Sequence, residues 1–440
     1  MSTETISPIE RATMRKVGWR LIPFLMLCYL FAMIDRANIG MASLQMNEDL
    51  GLTKAAFGFA SSLYFITYFI FEIPSNLALE RFGARRWIAR IMITWGLISG
   101  GTAFVQGATS LYVMRLLLGA AEAGFFPGVI LYLTYWLPKA YRARLIATFM
   151  VAIPAASFIG SPISGALLEL DGLFGMRGWH WVFIMEAVPT ILLGVICLLF
   201  LTDKPAQARW LSDEQRDWLV STIQRENSEK KKIEGASIGS LLRNPYIWAM
   251  ALVCSGASAA GSTLSVWQPQ LLKSFGGLSN FEVGLISAIP YGVSCIAMVL
   301  WGRHSDRTDE RRWHTAIPLS LMAVGLLATF TTGALAPTVL MLTAVLVGAY
   351  SFKGPFWALS YSWLSPATAA TGLAAIGATA NLIGGGLMVN VYGWIRQATD
   401  SYALALLPLA LLNLSGCLLV LFISRNQAHH PDALAAQASR

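Results

Sequence analysis

Twelve stretches of about 20 predominantly apolar residues dominate this 440-residue chain. They cover approximately 18–40, 55–79, 88–107, 109–136, 145–167, 180–201, 245–271, 281–302, 314–333, 337–364, 369–395 and 402–424. Each is long enough to cross a hydrocarbon core as a helix. In lipid every backbone N–H and C=O must find a partner inside the protein, so segments of this length cross as helices. The sequence therefore predicts an all-α membrane protein with twelve transmembrane helices, seated in a lipid bilayer. Charged residues make up only 13% of the chain, against about a quarter in soluble proteins. The five cysteines (Cys28, Cys197, Cys254, Cys295, Cys417) lie in apolar runs without C-x-x-C spacing. They read as small packing residues, not as disulfides or metal ligands.

The basic residues set the orientation. Of 32 Lys and Arg, 25 fall in the termini and alternate loops, and four (Lys54, Arg177, Lys273, Arg396) fall in the intervening loops. The positive-inside rule then makes both termini and the long central segment cytoplasmic. The formal charge of +8 follows from these basic loops, and nucleic acid is excluded as a partner. The basic N-terminus precedes an apolar run too long for a signal peptide and without a cleavage site, so it reads as an uncleaved first helix.

Residues 203–244 are the one extended hydrophilic stretch. Ser212-Asp213-Glu214-Gln215 fits a capping box, and Trp218, Leu219 and Ile223 follow at helical spacing. Part of this segment is thus expected to be an amphipathic surface helix. The Lys230-Lys231-Lys232 run reads as a solvated face in preference to an anionic-lipid site. The segment divides the chain into a six-helix bundle over 1–202 and another over 245–440.

An internal repeat supports that division. The loop after the second stretch reads Asn76-x-x-x-Glu80-Arg81-x-Gly83-x-Arg85-Arg86, and the loop after the eighth reads Gly302-x-x-x-Asp306-Arg307-x-Asp309-x-Arg311-Arg312. The carboxylate and three arginines keep their register. Two pseudo-symmetric six-helix bundles are expected, an arrangement suited to rocking about a midplane site.

Seven charged residues sit inside the apolar runs: Asp35, Arg36, Glu72, Arg115, Glu122, Glu186 and Lys353. Each costs roughly 3 kcal/mol at the bilayer centre if left unpaired. Together they would exceed the roughly 5–15 kcal/mol by which proteins are stable, so they must be paired, protonated or wetted by a cavity.

Taken together, the loop motifs and the helix count resemble the Major Facilitator Superfamily across essentially the whole chain. The resemblance implies that Glu80, Arg81, Arg85, Asp306, Arg307 and Arg311 form a cytoplasmic gate of charges that latches the outward-open state. Narrower motifs are similar to the anion:cation symporter branch. They are Ile34-Asp35-Arg36-Ala37-Asn38, the run from Arg115 through Gly119, Glu122 and Gly124 to Pro127-Gly128, Gly178-Trp179-His180-Trp181, Asp203-Lys204-Pro205, and Lys353-Gly354-Pro355-Phe356-Trp357. Within that branch the likeness is to bacterial permeases of tartrate, phthalate and hydroxyphenylacetate. It implies a proton-coupled symporter of a small organic carboxylate in the bacterial inner membrane, a monomer that needs no cofactor or metal. Helices 1, 4, 7 and 10 are expected to line the cavity.

Depth is estimated from the topology. Asp35-Arg36 and Arg115 each lie about six residues, roughly 9 Å, from the external end, and Glu122 lies two turns deeper than Arg115 on nearly the same face. Adjacent residues on a helix point about 100° apart. Asp35 is therefore expected to pair with Arg115, leaving Arg36 facing the cavity within reach of Glu122 or substrate. Arg36, Arg115 and Lys353 are the candidate anion-binding cations, with Tyr68, Trp267, Gln268, Trp357 and Asn381 as polar or aromatic walls. Glu122, and after it Asp35, is the candidate proton carrier, since burial and a neighbouring arginine act oppositely on a carboxyl group. Glu72 and Glu186 read as structural pairing residues. No nucleotide loop or nucleophile–base set is present, so neither ATP-driven nor enzymatic function is expected. Exchange or efflux of an organic anion remains open as an alternative, as does a membrane anion sensor. The aromatic content leans towards an aromatic acid.

Overall fold

The computed structural model describes residues 7–230, 244–329, 333–364 and 369–429, and among these the regular structure is helical throughout. Ten helices are long and apolar enough to cross a bilayer: Pro8–Asp49, Lys54–Phe82, Ala108–Trp136, Thr148–Leu168, Gly178–Phe200, Pro245–Lys273, Asn280–Thr308, Leu335–Ser362, Thr371–Thr399 and Tyr402–Ile423. The other two expected spans are Ala84–Gly101 and Arg312–Ala328, of 18 and 17 residues. They occupy third and ninth place, and both begin at the arginine-rich loops. We number the twelve spans in chain order. The first starts earlier than its apolar run: Ser7 accepts a hydrogen bond from the Glu10 N–H and begins a 42-residue helix. The basic residues ahead of the apolar run are therefore helical.

The surface helix forms at Asp213–Lys230, with the reciprocal Ser212–Gln215 bonds of a capping box at its start. Leu219 is fully buried beneath it. Lys231 and Lys232 lie outside the described residues.

Buried apolar side chains gather in two clusters. One joins the first six spans and the surface helix. The other joins spans seven to twelve, but it also takes in Ile39, Met41, Met46, Phe57 and Ala60 from the first two spans. The halves are thus fused along one face, the face opposite the chain termini. There the fifth span packs against the eighth, the second against the eleventh and the first against the seventh. The first two pairings exchange under the pseudo-two-fold relation between halves, as equivalent helices of two repeats should.

Small residues make this contact possible. A Cβ on Gly284 would lie 2.4 Å from the Ser161 carbonyl oxygen, and one on Gly393 would lie 2.7 Å from the Lys54 carbonyl oxygen. Polar bonds also cross the seam. Glu169 accepts from the Asn280 and Phe281 N–H groups at 2.9 and 3.2 Å, which caps the positive end of the eighth span. Gln270 donates to Ser43 at 2.8 Å, Lys54 N–H donates to Gln397 at 3.0 Å, and the Lys54 ammonium pairs with Asp400. We expect Gly284→Val to force the seam apart and destabilise the fold by about 1–3 kcal/mol, read as a lowered melting temperature of the purified protein.

The terminal face differs. Arg85 bonds Asp203 through its N–H at 2.8 Å, and Arg311 pairs with Asp306 at 2.8 Å and contacts Asp309 at 3.8 Å. Among the described residues none of these pairs joins one half to the other, and Glu80, Arg81 and Arg307 make no ion pair. The repeated turn survives its departure from glycine: Gly83 has φ 90° and Asp309 φ 50°. Aspartate is among the few residues that enter the left-handed region without great cost.

Candidate functional site

A cavity of about 290 Å³ lies between the halves. It runs from Arg36 and Ser265, just beneath the sealed seam, towards Met150, Trp357 and Gly377 near the terminal face. The protein is therefore closed on the far side and open towards its termini. The first, second, fourth, fifth, seventh, tenth and eleventh spans all contribute to the wall, more than the four helices expected.

Arg36 reaches this wall and pairs with Glu122 at 3.1 Å, with the arginine side chain 29% exposed and the carboxylate 3%. Its Nε donates to the Tyr64 hydroxyl at 2.8 Å, and a second guanidinium nitrogen also donates to that oxygen. The guanidinium lies 5.0 Å from the Tyr64 ring centroid and 5.2 Å from that of Tyr68, within cation–π range. One carboxylate and two aromatic faces thus hold its planar fork. Arg115 is 3% exposed and stands 5.0 Å from the same Tyr64 ring, without an ion pair among the described residues. Tyr64, fully buried, joins both arginines. The sequence reading missed it, although its spacing from Tyr68, one turn along the same helix, was the available signal.

Backbone geometry explains the position of Glu122. The fourth span breaks immediately after it: Ala123 is extended (φ −52°, ψ 132°) and Gly124 is left-handed (φ 84°), and a new helix starts at Phe125. Only glycine takes that second conformation without penalty, and Ser75 packs where a Cβ would point. Glu122 thus ends one helical segment of an interrupted span, and broken helices of this kind recur at transporter sites. One Glu122 oxygen holds Arg36 while Oε2 has no hydrogen-bond partner.

The opposite wall is built differently. Lys353 lies in the tenth span, two residues before Pro355. Its Nζ stands 4.9 Å from the Tyr350 ring, and it makes no ion pair among the described residues. Ser258, Ser262 and Ser265, spaced by four and three residues, present hydroxyls along one face of the seventh span. Ser258 donates to Asn381 Oδ1 at 3.3 Å. Asn381 precedes a π-helical segment, Leu382–Met388, whose three glycines pack against Ala259 and Phe65. Insertions of this kind recur where helices are interrupted for function.

Four expectations need correction. Arg115, expected among the anion-binding cations, is not on the cavity wall: it is buried beside the Tyr64 ring. Asp35 does not pair with Arg115. It is fully buried and accepts from Ser99 at 3.3 Å and Thr190 at 2.7 Å. With Arg36 turned to the cavity, its neighbour necessarily points about 100° away, towards the third and sixth spans. Gln268 lies off the cavity, 1% exposed, donating to the Ser287 carbonyl at 3.3 Å. Trp267 is likewise sealed in the seam, between Phe57 at 5.1 Å and Tyr392 at 4.9 Å. By contrast, Arg36, Tyr68, Lys353, Trp357 and Asn381 all border the cavity.

Known proteins place this architecture. Residues 25–425 match the model of the Major Facilitator Superfamily. A protein of Agrobacterium vitis named "Putative tartrate transporter" is 48% identical over 98% of this chain and 98% of its own length. A "Quinolone resistance transporter" of Acinetobacter baumannii is 37% identical over 94% of this chain and 95% of its own. Among solved structures, a bacterial homologue of the human lysosomal transporter Spinster, in an inward-facing and occupied conformation, superposes with a TM-score of 0.75. It is 18% identical, over 92% of this chain and 96% of that one. The chain belongs to the Major Facilitator Superfamily and is a multi-pass membrane transporter.

Proposed function

We propose that the protein imports a small hydroxylated dicarboxylate, of the tartrate class, together with protons. The observation that carries this reading is the pair of cations on one cavity. Arg36 is already occupied by Glu122 at 3.1 Å, and Lys353 has no carboxylate partner among the described residues. A dicarboxylate answers both. Protonating Glu122 frees the guanidinium, whose fork binds one substrate carboxylate through parallel hydrogen bonds. Lys353 takes the other carboxylate as a point charge. Ser258, Ser262, Ser265 and Asn381 offer donors and acceptors for hydroxyls between them. The name of the 48% identical relative agrees with this substrate class.

The basic loops make the terminal face cytoplasmic, so the arrangement described is open inward. Transport follows from rocking of the halves, 1–202 against 245–440, joined through 203–244. Outward opening separates Glu169 from the eighth span and Lys54 from Asp400. It brings the loops bearing Glu80, Arg81, Arg85, Asp306, Arg307 and Arg311 together as the cytoplasmic gate. The protein works as a monomer in the bacterial inner membrane.

Lys353→Met should raise the KM for tartrate roughly 10- to 100-fold, the worth of a charged hydrogen bond, and change the KM for a monocarboxylate little. Uptake competition in proteoliposomes measures this, and equal loss for both substrates contradicts the assignment of the second carboxylate to Lys353. A second reading, efflux of an organic anion, is favoured by the relative named for quinolone resistance. It predicts substrate leaving the cytoplasmic side in exchange for entering protons, which everted vesicles distinguish directly.

A further inference from the structure

A second cavity, of about 440 Å³, lies in the second half between the eighth, ninth and tenth spans, apart from the one between the halves. Ala297, Leu300, Ile317, Leu321 and Val347 make its walls apolar, and His304, one turn from the end of the eighth span, joins them. Its floor follows from a glycine and a proline. Gly348 lets the tenth span approach so closely that a Cβ there would lie 2.6 Å from the Pro318 carbonyl oxygen. Pro318 lacks the N–H that would meet the His314 carbonyl within the ninth span. The Trp301 indole N–H donates to that carbonyl instead, at 2.9 Å, and so fixes Trp301 as a further wall. Leu300, Ile317 and Leu321 are exposed, so the cavity is a groove open on the outer surface of the bundle, where lipid lies.

Basic groups stand at its mouth, on the side of the chain termini. His314 Nδ1 bonds Glu310 at 2.6 Å, and His304 Nδ1 meets His314 Nε2 at 2.7 Å. With the Glu310 carboxylate as acceptor, His314 donates from Nδ1 and accepts at Nε2, so His304 donates from its own Nδ1. This relay fixes the His304 ring and leaves its Nε2 without a protein partner among the described residues. Leu300, Arg303 and Arg307 follow at intervals of three and four residues, so they form one stripe of the eighth span. The stripe is apolar in the groove and basic beyond it. Both arginines are exposed and make no ion pair among the described residues. The acids nearby are engaged elsewhere: Arg311 holds Asp306 at 2.8 Å and approaches Asp309 at 3.8 Å. Glu310 accepts from the Trp313 N–H at 2.7 Å as well as from His314. Trp313, exposed at the start of the ninth span, marks the level at which aromatic side chains meet lipid head groups.

We propose that this groove binds one anionic phospholipid, with an acyl chain against Leu300, Ile317 and Leu321 and the phosphate head at His304, Arg303 and Arg307. Basic pockets between spans at a membrane face suit such head groups, and here the apolar walls continue directly from the basic mouth. A second copy of the chain fits less well, because a two-fold contact would set Arg303 and Arg307 against their own equivalents. The site lies apart from Arg36, Glu122 and Lys353 and does not depend on the transport reading.

Native mass spectrometry of the purified protein tests this, with phosphatidylglycerol and phosphatidylcholine of the same acyl chains supplied in equal amounts. Wild type should retain one phosphatidylglycerol in preference to phosphatidylcholine. Arg303→Gln/Arg307→Gln should weaken phosphatidylglycerol binding about 25-fold, roughly fivefold for each charge lost, and leave phosphatidylcholine binding unchanged. Ala297→Phe, which fills the groove without altering a charge, should displace the retained lipid. Arg15→Gln/Lys16→Gln removes two exposed charges from the first span and should leave the retained lipid in place. Melting curves verify that each variant folds. Equal retention of both lipids by wild type overturns the proposal, as does retention that survives Ala297→Phe. An equal loss on removing Arg15 and Lys16 also overturns it, since that result shows attraction to basic charge in general. Dimerisation that Ala297→Phe abolishes would assign the groove to a second copy and overturn it too.

Discussion

On the proposed function, we expect Arg36→Ala to abolish tartrate binding and uptake, and Arg36→Lys to retain less than about a tenth of wild-type uptake. The guanidinium occupies a place that nothing else on this wall can fill. Its fork meets Glu122 and Tyr64, and two tyrosine faces hold its plane towards the cavity. Lysine supplies the charge without the fork or the stacking surface. The alanine variant has a further consequence. It leaves Glu122, 2% exposed, without its partner, and breaking a buried pair from one side costs about 3–5 kcal/mol. Lowered stability therefore accompanies lost transport. The double variant Arg36→Ala/Glu122→Gln separates the two effects: melting temperature recovers and binding does not. Binding measured by calorimetry beside melting curves checks both, and recovery of binding in the double variant contradicts a direct role for Arg36.

On the proposed symport, we expect Glu122→Gln to separate substrate movement from the proton gradient. Glutamine keeps the shape of glutamate but neither holds Arg36 by charge nor titrates. Arg36 then stays available to substrate at every pH. Counterflow, which needs no net proton movement, should continue within a factor of about three of wild type, as expected where only the coupling free energy is removed. Accumulation against a concentration gradient, driven by an imposed pH difference, should disappear, and the pH dependence of binding should flatten. A variant that still concentrates substrate in response to the gradient excludes Glu122 as the carrier.

Much of this was legible in the sequence because it depends on length, periodicity and charge. The spans follow from apolar runs, the capping box at Ser212 from four residues, and Arg36 facing the cavity within reach of Glu122 from the angle between consecutive residues. Contacts set by azimuth and by seams were harder to read. Asp35 and Arg115 share a depth, yet the 100° between consecutive residues sends Asp35 to Ser99 and Thr190. Trp267 reads as a cavity wall by position, but it is the plug where the halves meet, so it lends no weight to an aromatic substrate. Tyr64 carries no charge, and only its one-turn spacing from Tyr68 marks it in the sequence, although it touches both arginines. The break after Glu122 did have a signature, Gly124 with Pro127 close behind, and such pairs in an apolar run also serve kinks and close packing. Glu186 reads as a structural partner, but that its partner is Ser164 of the fifth span depends on helix packing that sequence does not show.

The most direct measurement is proton exchange on substrate binding, with purified protein in weakly buffered solution near neutral pH. If Arg36 is shared between Glu122 and the incoming carboxylate, adding tartrate must draw protons from solution, and affinity must rise as pH falls, because binding and protonation are linked. Wild type should show this uptake and Glu122→Gln should bind without it. Tartrate that binds wild-type protein with no proton uptake, at an affinity independent of pH, would contradict the coupling of the two events through Arg36.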